Sequence, residues 1–533
     1  MKCRYIAAFA AVSIALLGYG VLADAQVTST CGDTSGSRGR DVACRCGDTV
    51  TTNTRLRKKD PVARKACPAA GLATAAGVTL DLNGLIISGS GSGIGIKPGA
   101  GASVRNGTVQ RFGTGGLVDR GAVVLTDVAF DANFGVGLEI NPAPGETAPA
   151  VVLNGPLASV SDNGSSGIVI ASGAGLEMTG AAVESKLPIL RNGGVGIEVR
   201  GRLKTTNVSV GESTNQGLLV DSNSRVEVVD SEFNDNGGDG IHIRGAPGAS
   251  NLDDTTLDMD LEDYGFVMTG TTSSASGNEG HGIHLGDPAQ TTDVSAFFDL
   301  GLVEGNSGRG VLMEQKAAPG VDCGASAGYP GCTGATVHGL IVRDNASSGV
   351  ELRTSFLIPR KIGNVRYGLG FTSNKIFHNA IGPGCSAVQT QPQIRVVGPP
   401  GQSPAVCAAA ADEAACDILG NDPLNNQHCY WSGSACIVVW DLRGAVDCHD
   451  NTANHNEIHS YNTNTDPTGS SDLSVGLYGS VDVGSAVGAN VWADNNSWRT
   501  GDESQNVDQD ASSFVDADTI CPAGGVLLQC SSQ

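Results

Sequence analysis

One phrase of eight residues returns along this chain and constrains its fold more than any other feature. Each copy reads Asn, three mostly small or polar residues, Gly, and then an apolar, a variable and an apolar residue. The full copies begin at Asn133, Asn163, Asn192, Asn236, Asn278, Asn306 and Asn345. A shortened copy begins at Asn215. Such a repeat predicts a solenoid, in which each copy forms one coil and neighbouring coils bury a shared core.

The residues after each Gly predict a short strand. The first and third positions after the Gly are apolar in every full copy, as in Ile241 and Ile243. Because successive side chains on a strand alternate faces, these pairs are expected to point inward and stack. The Gly is expected to supply backbone freedom at the corner. The Asn is expected to take left-handed geometry and to form a ladder of amide hydrogen bonds from coil to coil.

The shortest spacing between the glycines gives the length of a coil. Gly196 and Gly217 lie 21 residues apart, and Gly217 and Gly240 lie 23 apart. This length suits one turn of a three-sided parallel β-helix, and longer spacings are interpreted as a coil plus a loop, such as 244–264. Gly accounts for 75 of 533 residues and charged residues for only 17%. That composition also favours an all-β solenoid, here of roughly ten or more coils.

Three further motifs open the repeat region. They are Cys46–Val50 (CGDTV), Val78–Gly84 (VTLDLNG) and Val104–Thr108 (VRNGT). With these motifs the chain resembles the right-handed parallel β-helix (pectin-lyase-like) superfamily, and especially its exported bacterial members, over roughly residues 45–385. The resemblance implies the fold. It implies less about activity, because the superfamily includes lyases, hydrolases, epimerases and members without assigned chemistry.

The sequence divides into five predicted segments. These are a signal peptide (1–25), an N-terminal cap with disulfides (26–77), the right-handed parallel β-helix (78–402), a small Cys-rich inserted module (403–437) and C-terminal coils with a cap (438–533). The signal peptide is predicted from a basic start, an apolar run from Ile6 to Leu22 and small residues at the cleavage site. Export to the periplasm, the cell surface or the medium is therefore expected.

The cysteines are expected to form disulfides. There are 15, and 14 remain after Cys3 of the predicted signal peptide is set aside. An even count in an exported chain favours disulfides over metal ligands. None lies between Cys67 and Cys323, so the bridges should tie the ends and the inserted module. The pairing stays open at this stage, although Cys429 and Cys436 suggest a short disulfide-closed hairpin.

The charge balance excludes some partners. The net charge is −22, which argues against nucleic acid and anionic membranes, since both are bound by clustered Lys and Arg. It also weighs against a deep site for a polyanion unless cations intervene. No stretch after the signal approaches the roughly 18 apolar residues of a membrane helix. A polysaccharide or a cell-surface glycan is the expected partner, and the oligomeric state stays open.

Candidate catalytic residues lie on two successive copies of the phrase. His242 and His284 occupy the outward position of their strands, and adjacent coils would place them about 4.8 Å apart. Two exposed imidazoles at that spacing suit a shared metal or an acid and base. Asp239 and His281 in the preceding turns complete the set. The alternative is that a solvent-facing strand position accepts any polar residue.

A polygalacturonase-like hydrolase is one specific form of this hypothesis. The resemblance supplies an Asp-bearing coil at Asp239 and a Gly-His-Gly coil at His281. Glu262 and Asp263 are the only candidates for the paired acids of that family, and they fall in a predicted insertion. The Arg-x-Lys that should follow is absent, since the sequence there reads Val-Leu-Met-Glu up to Glu314. Inverting hydrolysis of that type therefore lacks most of its parts.

An acidic stretch within the loop after Ile243 is the candidate Ca²⁺ site. Its carboxylates are Asp253, Asp254, Asp258, Asp260, Glu262 and Asp263. Ca²⁺ takes 6–8 oxygen ligands, which this stretch offers in number but not at the spacing of a defined calcium loop. A solvated acidic loop is the alternative. Ca²⁺ is the cofactor that this stretch suggests.

Two other candidates lie nearer the C-terminus. Tyr430 and Trp431 suit stacking on a sugar ring, with hairpin packing as the alternative. His455, Glu457 and His459 would share one face of a strand, a geometry open to Zn²⁺, with ordinary loop histidines as the alternative.

Three functions remain open from the sequence. The preferred one is an exported β-helix protein that binds carbohydrate at or outside the cell surface without clear catalytic machinery. The second is a polysaccharide lyase or glycoside hydrolase that uses His242, His281 or His284, with Ca²⁺ from the acidic loop. The third is a structural or adhesive surface rod.

Overall fold

The structure is a computed structural model, and it describes most of the chain up to residue 354 and short segments beyond. The described residues are 29–33, 42–221, 224–246, 264–287, 294–315, 333–354, 360–362, 365–367, 369–372, 374–377, 379, 394–397, 410–420, 429–431, 434–438, 440–441, 457–459, 473–475, 490–492, 496–498, 507–509, 514–516 and 520–521. The predicted signal peptide, residues 1–25, lies outside them.

Two long parallel sheets run the length of the described structure, with sixteen strands each. The first sheet contains the strands that follow each repeat Gly. Its strands, in spatial order, are Thr30–Cys31, Thr49–Val50, Leu72–Thr74, Ile94–Lys97, Thr114–Val118, Leu138–Ile140, Ile168–Ile170, Ile197–Val199, Leu218–Val220, Ile241–Ile243, Ile283–Leu285, Val311–Gln315, Val350–Thr354, Ile394–Val397, Leu473–Val475 and Val507–Gln509. Each strand pairs with its counterpart one coil away, which is the topology of a solenoid.

The second sheet forms another face of the same coils. Its strands are Thr54–Arg55, Thr79–Ser88, Ser103–Gln110, Ala122–Phe130, Ala150–Asn154, Gly175–Thr179, Arg202–Thr206, Arg225–Val229, Phe266–Thr269, Val294–Glu304, Thr333–Arg343, Lys375–Phe377, Glu457–His459, Asn496–Trp498 and Ile520–Cys521, with Leu369–Thr372 also paired to Thr333–Arg343. The pairing in both sheets is parallel throughout. The all-β parallel solenoid predicted from the repeat is confirmed.

The smaller elements complete the description. A third parallel sheet contains Leu187–Leu190, Val208–Gly211 and Glu232–Asn234, and another contains Trp440–Asp441, Asn490–Trp492 and Phe514–Asp516. Two antiparallel pairs join Arg360–Ile362 to Val365–Tyr367 and Cys429–Trp431 to Cys436–Val438. The helical elements in the described residues are a 3₁₀ turn, Pro61–Ala63, and an α-helix, Glu413–Gly420.

The core is a continuous stack of apolar side chains inside the coils. Ile241 and Ile243 are fully buried, and the same holds for the corresponding pairs one coil before and one coil after. Leu218 pairs with Ile241, and Ile241 with Ile283, in the strand register. The inward orientation predicted for the first and third positions after each Gly is therefore confirmed. The aromatic rings of Phe130, Phe233 and Phe298 fill the same interior from the other faces.

The predicted asparagine ladder is present at the turn before the first sheet. Asn278 Nδ2 donates to Asn306 Oδ1 at 2.9 Å, and Asn306 Nδ2 donates to Asn345 Oδ1 at 2.7 Å. The same bond links Asn133 to Asn163, Asn163 to Asn192, Asn236 to Asn278 and Asn345 to Asn379. The shortened copy departs from the ladder, because Ser213 stands at that position and its N–H donates to Asn236 Oδ1 at 3.2 Å.

Two expectations about this turn were wrong. The left-handed conformation is taken by the residue before each Asn, for example Asp162 (φ 58°) and Asp235 (φ 57°). The ladder Asn itself has ordinary backbone geometry, which lets its amide lie in line with the coil above.

The Gly is needed for space rather than for φ. A Cβ on Gly217 would lie 2.7 Å from both Asn236 Nδ2 and the carbonyl oxygen of Gly240.

The N-terminal segment forms the first rungs of the solenoid. Its strands Thr49–Val50 and Leu72–Thr74 pair in parallel with each other, and Leu72–Thr74 pairs with Ile94–Lys97. Disulfides Cys31–Cys44 and Cys46–Cys67 cross-link this end, as expected for an open first rung that needs covalent support.

The segment predicted to be a Cys-rich inserted module contains the predicted hairpin, but its disulfide is different. Cys436 bonds to Cys416 of the helix Glu413–Gly420 and not to Cys429. The bridge therefore ties a helix to the hairpin. Trp431 is partly buried against this small core, which favours the packing alternative for that side chain.

Candidate functional site

The candidate histidines lie on neighbouring strands of the first sheet. The register pairs His242 with His284, flanked by Ile241 with Ile283 and Ile243 with Leu285. The adjacency assumed for the two coils is therefore confirmed. The expected exposure was wrong, because His242 is only 8% exposed and Glu351, three coils further along the same outward row, is fully buried. The outward face is covered at these coils, so its polar side chains must form hydrogen bonds and ion pairs with one another.

The two imidazoles are stacked. Their ring centroids lie 4.1 Å apart and their planes differ by 7°. Asp239, in the turn before His242, lies beside both rings. Its Oδ2 is 3.0 Å from Nδ1 of His284 and 3.6 Å from Nδ1 of His242. The repeat geometry thus brings together three of the four residues that the sequence singled out.

Glu314 is the main residue of the cluster that the sequence analysis missed. Its Oε1 lies 2.9 Å from Nε2 of His284. With Asp239 on Nδ1 and Glu314 on Nε2, both ring nitrogens of His284 face a carboxylate. Both contacts are hydrogen bonds only if both nitrogens carry a proton, so the geometry favours the imidazolium form of His284.

The contacts of His242 favour its neutral form. Its Nε2 lies 3.2 Å from the carbonyl oxygen of Gly286. A carbonyl only accepts, so the ring proton of neutral His242 is on Nε2 and its lone pair is on Nδ1. That Nδ1 is buried and has no hydrogen-bond partner in the described structure. The cluster therefore pairs one fully protonated imidazole with one that has an unused lone pair.

His281 lies at the edge of the cluster. Its ring stands edge-on to His284, with centroids 5.4 Å apart, and its Nδ1 accepts the backbone N–H of Arg309 at 3.0 Å. Its own backbone N–H donates to Asp239 Oδ1 at 2.7 Å. The guanidinium of Arg309 contacts the buried carboxylate of Glu351. His281 thus orients Asp239 through its backbone.

The surroundings separate the pKa values of the three histidines. Burial opposes a charge on His284, but its hydrogen bonds to Asp239 and Glu314 outweigh this and raise its pKa to about 9. Burial, with the neighbouring charge of His284, lowers the pKa of His242 to about 4. Burial also lowers the pKa of His281 to about 4. Burial would raise the pKa of Asp239, yet the hydrogen bond from His284 keeps it below its usual value.

The donor set alone suits a metal ion, but the ring planes do not. Ligand atoms of Asp239, His242 and His284 all lie within 4.8 Å of one another. An imidazole nitrogen binds a metal in the plane of its ring. The two rings are parallel and stacked, so one ion cannot lie in both planes unless a ring turns. The hydrogen-bond partners of the two rings favour a pair of one neutral and one protonated imidazole instead.

The remaining sequence candidates are not brought to this cluster by the described structure. The acidic residues 253–263 lie outside the described residues, as does His455. Glu457 and His459 lie on a strand of the second sheet, and their side chains are outside the described part. The same holds for the side chain of Tyr430.

Glu314 had a recognisable signal in the sequence. It follows Leu312, the register partner of His284, by two residues. It therefore lies on the same outward face as the histidines. Two positions along a strand is diagonal reach for a long side chain. Glu314 occupies the place at which the polygalacturonase-like pattern would have Arg-x-Lys.

The comparison with protein families agrees with the fold. Residues 158–292 match the family described as right handed beta helix region. No curated protein matches the chain in a sequence comparison. Among solved structures the chain is similar to the A-module of the mannuronan C-5 epimerase AlgE4 from Azotobacter vinelandii, at 14% identity and a TM-score of 0.37, over 88% of this chain and 91% of that one.

The fold and the site together define a class. This is a parallel β-helix with a cluster of ionisable side chains on one covered strand face. The described coils form a parallel β-helix, as the sequence predicted, and residues 158–292 match the right-handed type. No helix among the described residues is long and apolar enough to cross a membrane.

Proposed function

We propose that this protein is an exported carbohydrate-active enzyme whose acid–base pair is His284 and His242. The observation that carries the proposal is the stacking of the two rings at 4.1 Å, with carboxylates at both ring nitrogens of His284 and a carbonyl oxygen at Nε2 of His242. An environment that pushes the pKa values of neighbouring groups apart is the usual way to assign an acid and a base. The proposal thus takes up the polysaccharide lyase or glycoside hydrolase alternative.

His284 is the acid in this proposal. Its two N–H groups face Asp239 and Glu314. When one of these N–H groups gives its proton to a departing sugar oxygen, a neutral ring remains, and solvent can protonate it again. The two carboxylates orient the ring and stabilise its charge, as carboxylates do for catalytic histidines elsewhere.

His242 is the base. Its unpartnered Nδ1 is the acceptor, and Asp239 Oδ2 at 3.6 Å would stabilise the proton once it is taken up. This nitrogen is covered in the present conformation, so glycan entry must open the face around it. The carbohydrate part of the proposal rests on the fold, since the superfamily that the sequence resembles includes lyases, hydrolases and epimerases.

A panel of polysaccharides tests the proposal. The purified chain is incubated with neutral and acidic polysaccharides, with and without Ca²⁺, and new reducing ends and unsaturated products are measured. We expect turnover of at least one glycan, and a loss of at least about 100-fold in kcat for His284→Gln and for His242→Gln, the low end for removal of a general acid or base.

The matched control is Glu139→Gln. Glu139 occupies the same outward strand position several coils earlier and pairs with Val169 in the register. It should keep full activity. Equal activity of the histidine variants and the control would contradict the proposal.

Non-catalytic glycan binding is the second candidate. This second function is favoured because both ring N–H groups of His284 already donate hydrogen bonds to carboxylates. It predicts retained binding on a glycan array together with no turnover of any polysaccharide. Loss of binding in His284→Gln would still assign the glycan to this face.

A further inference from the structure

We infer that His281 is a glycan-binding residue of this site, and that its ring Nε2–H donates a hydrogen bond to an oxygen of the bound sugar. The inference rests on the proposed function and adds a binding contact to its acid–base pair. It assigns His281 to substrate binding and not to proton transfer. It is carried by the hydrogen bond at Nδ1 of the ring and by the accessibility of Nε2.

The His281 ring is held against the turn of the next coil. The backbone N–H of Arg309 donates to its Nδ1 at 3.0 Å. Gly308 makes room for this approach, because a Cβ there would lie 2.9 Å from Cε1 of the ring and closer still to Nδ1. On the side of the preceding coil, the backbone N–H of His281 donates to Asp239 Oδ1 at 2.7 Å. Both neighbouring coils therefore fix the residue.

The hydrogen bond from Arg309 decides which ring nitrogen of His281 carries the proton. An N–H only donates, so Nδ1 must offer its lone pair, and the proton of the neutral ring lies on Nε2. Burial lowers the pKa of His281 to about 4, so the ring is neutral near pH 7. His281 thus presents a fixed, uncharged N–H donor.

Nε2 of His281 is open to a ligand, unlike the ring nitrogens of the stacked pair. It has no hydrogen-bond partner among the described residues, and it is not one of the buried polar atoms that lack a partner. In contrast, Nδ1 of His242 is buried and its Nε2 faces the carbonyl oxygen of Gly286. Both nitrogens of His284 face carboxylates. A ligand can therefore reach Nε2 of His281 in the present conformation.

A sugar bound at His281 lies beside the proposed acid. The His281 ring stands edge-on to that of His284, with centroids 5.4 Å apart and planes at 89°. Sugars carry hydroxyl, ring and glycosidic oxygens, and uronic acids add carboxylate oxygens. Each of these accepts a hydrogen bond from an N–H group. The ligand chemistry is therefore an oxygen acceptor, and the binding measurements separate neutral from acidic glycans.

Two substitutions separate the functions of the two ring nitrogens. His281→Asn keeps an acceptor near the position of Nδ1 for the Arg309 N–H and removes the donor at Nε2. His281→Gln places an amide donor near the position of Nε2 and removes the acceptor at Nδ1.

The order of the two variants is the main readout. We expect His281→Asn to weaken glycan binding about three- to tenfold, the size of one neutral hydrogen bond. His281→Gln should retain more of the affinity. A purely structural role of the ring predicts the opposite order, because only Asn keeps the hydrogen bond to Arg309, and that order would overturn the inference.

Calorimetry with defined oligosaccharides measures the affinities. The ligands are xylan, galactomannan, polygalacturonate and alginate oligosaccharides, each at low and high salt. Binding of neutral oligosaccharides assigns a hydroxyl or ring oxygen to Nε2. Binding of the uronate oligosaccharides alone, weakened by salt, assigns a carboxylate oxygen, because screening acts on charged partners.

The matched control is His338→Asn. His338 lies on the second sheet, where its ring contacts Asp299 at 2.7 Å, so the same substitution there should change glycan affinity less than about twofold. An equal loss of affinity in His338→Asn and His281→Asn would contradict the assignment.

NMR with isotope-labelled histidine observes the donor directly and needs no turnover. We expect signals of a neutral ring with its proton on Nε2, identified by their disappearance in His281→Asn. Addition of a bound oligosaccharide should shift the Nε2–H signal. A ring protonated on Nδ1, or an Nε2–H signal that does not shift although the glycan binds, would overturn the inference.

Turnover separates this inference from the proposed function. A KM raised about three- to tenfold in His281→Asn, with kcat within about twofold, supports both. Glycan binding that depends on His281 without turnover of any polysaccharide keeps the binding residue and overturns the catalytic function. Turnover with an unchanged KM in His281→Asn keeps the function and overturns the binding residue. Absence of binding to every glycan overturns both.

Discussion

The imidazole of His242 lies flat against that of His284, with centroids 4.1 Å apart, on two adjacent coils. The coil spacing of a parallel sheet sets this separation, and the two carboxylates around His284 set the charge of the pair. Four predictions follow from these contacts and from the turns that hold the coils in register.

Stability should fall at alkaline pH through His284. Its folded pKa, about 9, lies above the unfolded value near 6.5, so the ring binds its proton more tightly when folded. The contribution is complete below pH 6.5 and is lost as pH rises through about 9. It amounts to on the order of 3 kcal/mol. Denaturant unfolding between pH 6 and pH 10 measures it.

His284→Gln is the comparison for the alkaline prediction, because other groups also titrate in this range. The difference in unfolding free energy between the natural chain and the variant should shrink as pH rises. A difference that stays constant from pH 6 to pH 10 would show that His284 is not held as a cation.

Stability should also fall on the acid side through His242 and His281. Their folded pKa values are about 4, below the unfolded value near 6.5, because burial disfavours the charged ring. The unfolded chain therefore takes up more protons between pH 6.5 and pH 4, and stability declines over that window. The double variant His242→Gln, His281→Gln should show a shallower decline. An unchanged slope in thermal unfolding would contradict the burial assigned to these rings.

Removing one rung of the asparagine ladder should destabilise the solenoid. Asn278 donates to Asn306 Oδ1 and to the carbonyl oxygen of Phe233, and it accepts from Asn236. Asn278→Ala leaves several buried groups unpaired, at about 1–3 kcal/mol for each group. The matched control is Asn215→Ala, since Asn215 is exposed and lies outside the ladder. Equal unfolding midpoints for the two variants would refute the role of the ladder.

The repeat Gly should resist substitution by Ala for steric reasons. In Gly217→Ala the new Cβ would meet Asn236 Nδ2 and the carbonyl oxygen of Gly240, both at 2.7 Å. Because one of these atoms is backbone, the coils must shift, and a loss of about 1–3 kcal/mol or more is expected. Gly175→Ala is the control, as its nearest atom would be Arg202 Cβ at 3.9 Å. Faster hydrogen exchange of the backbone amides in the first sheet would show which coils Gly217→Ala destabilises.

The repeated phrase was sufficient to predict most of the fold. The inward pair Ile241 and Ile243 and the ladder at Asn278 both follow from a period within one coil, which is a short-range pattern. The details of the turn did not follow. The left-handed residue precedes the Asn, as at Asp235, and Gly217 is required by the approach of the next coil, which a single repeat unit does not reveal.

The candidate site was predicted in part. The alternation of side chains placed His242 and His284 on one face, and the repeat placed Asp239 beside them. Their burial and the contact with Glu314 were not predicted. Both depend on which segments cover the strand face and on how far a side chain reaches diagonally across it. The insertions between coils differ in length, so a local sequence pattern does not show which side chains of neighbouring coils come into contact.

The sequence by itself determined the solenoid, its core and its hydrogen-bonded turn, because each coil repeats the same short pattern of Asn, Gly and alternating apolar residues. The tertiary structure alone decided the chemistry. It paired Cys416 with Cys436, and it buried His242 against His284, whose two ring nitrogens face Asp239 and Glu314. The physical reason is that a pKa depends on burial and on neighbouring charges. Those neighbours, Glu314 above all, come from coils that are distant in sequence and adjacent only once the solenoid has formed.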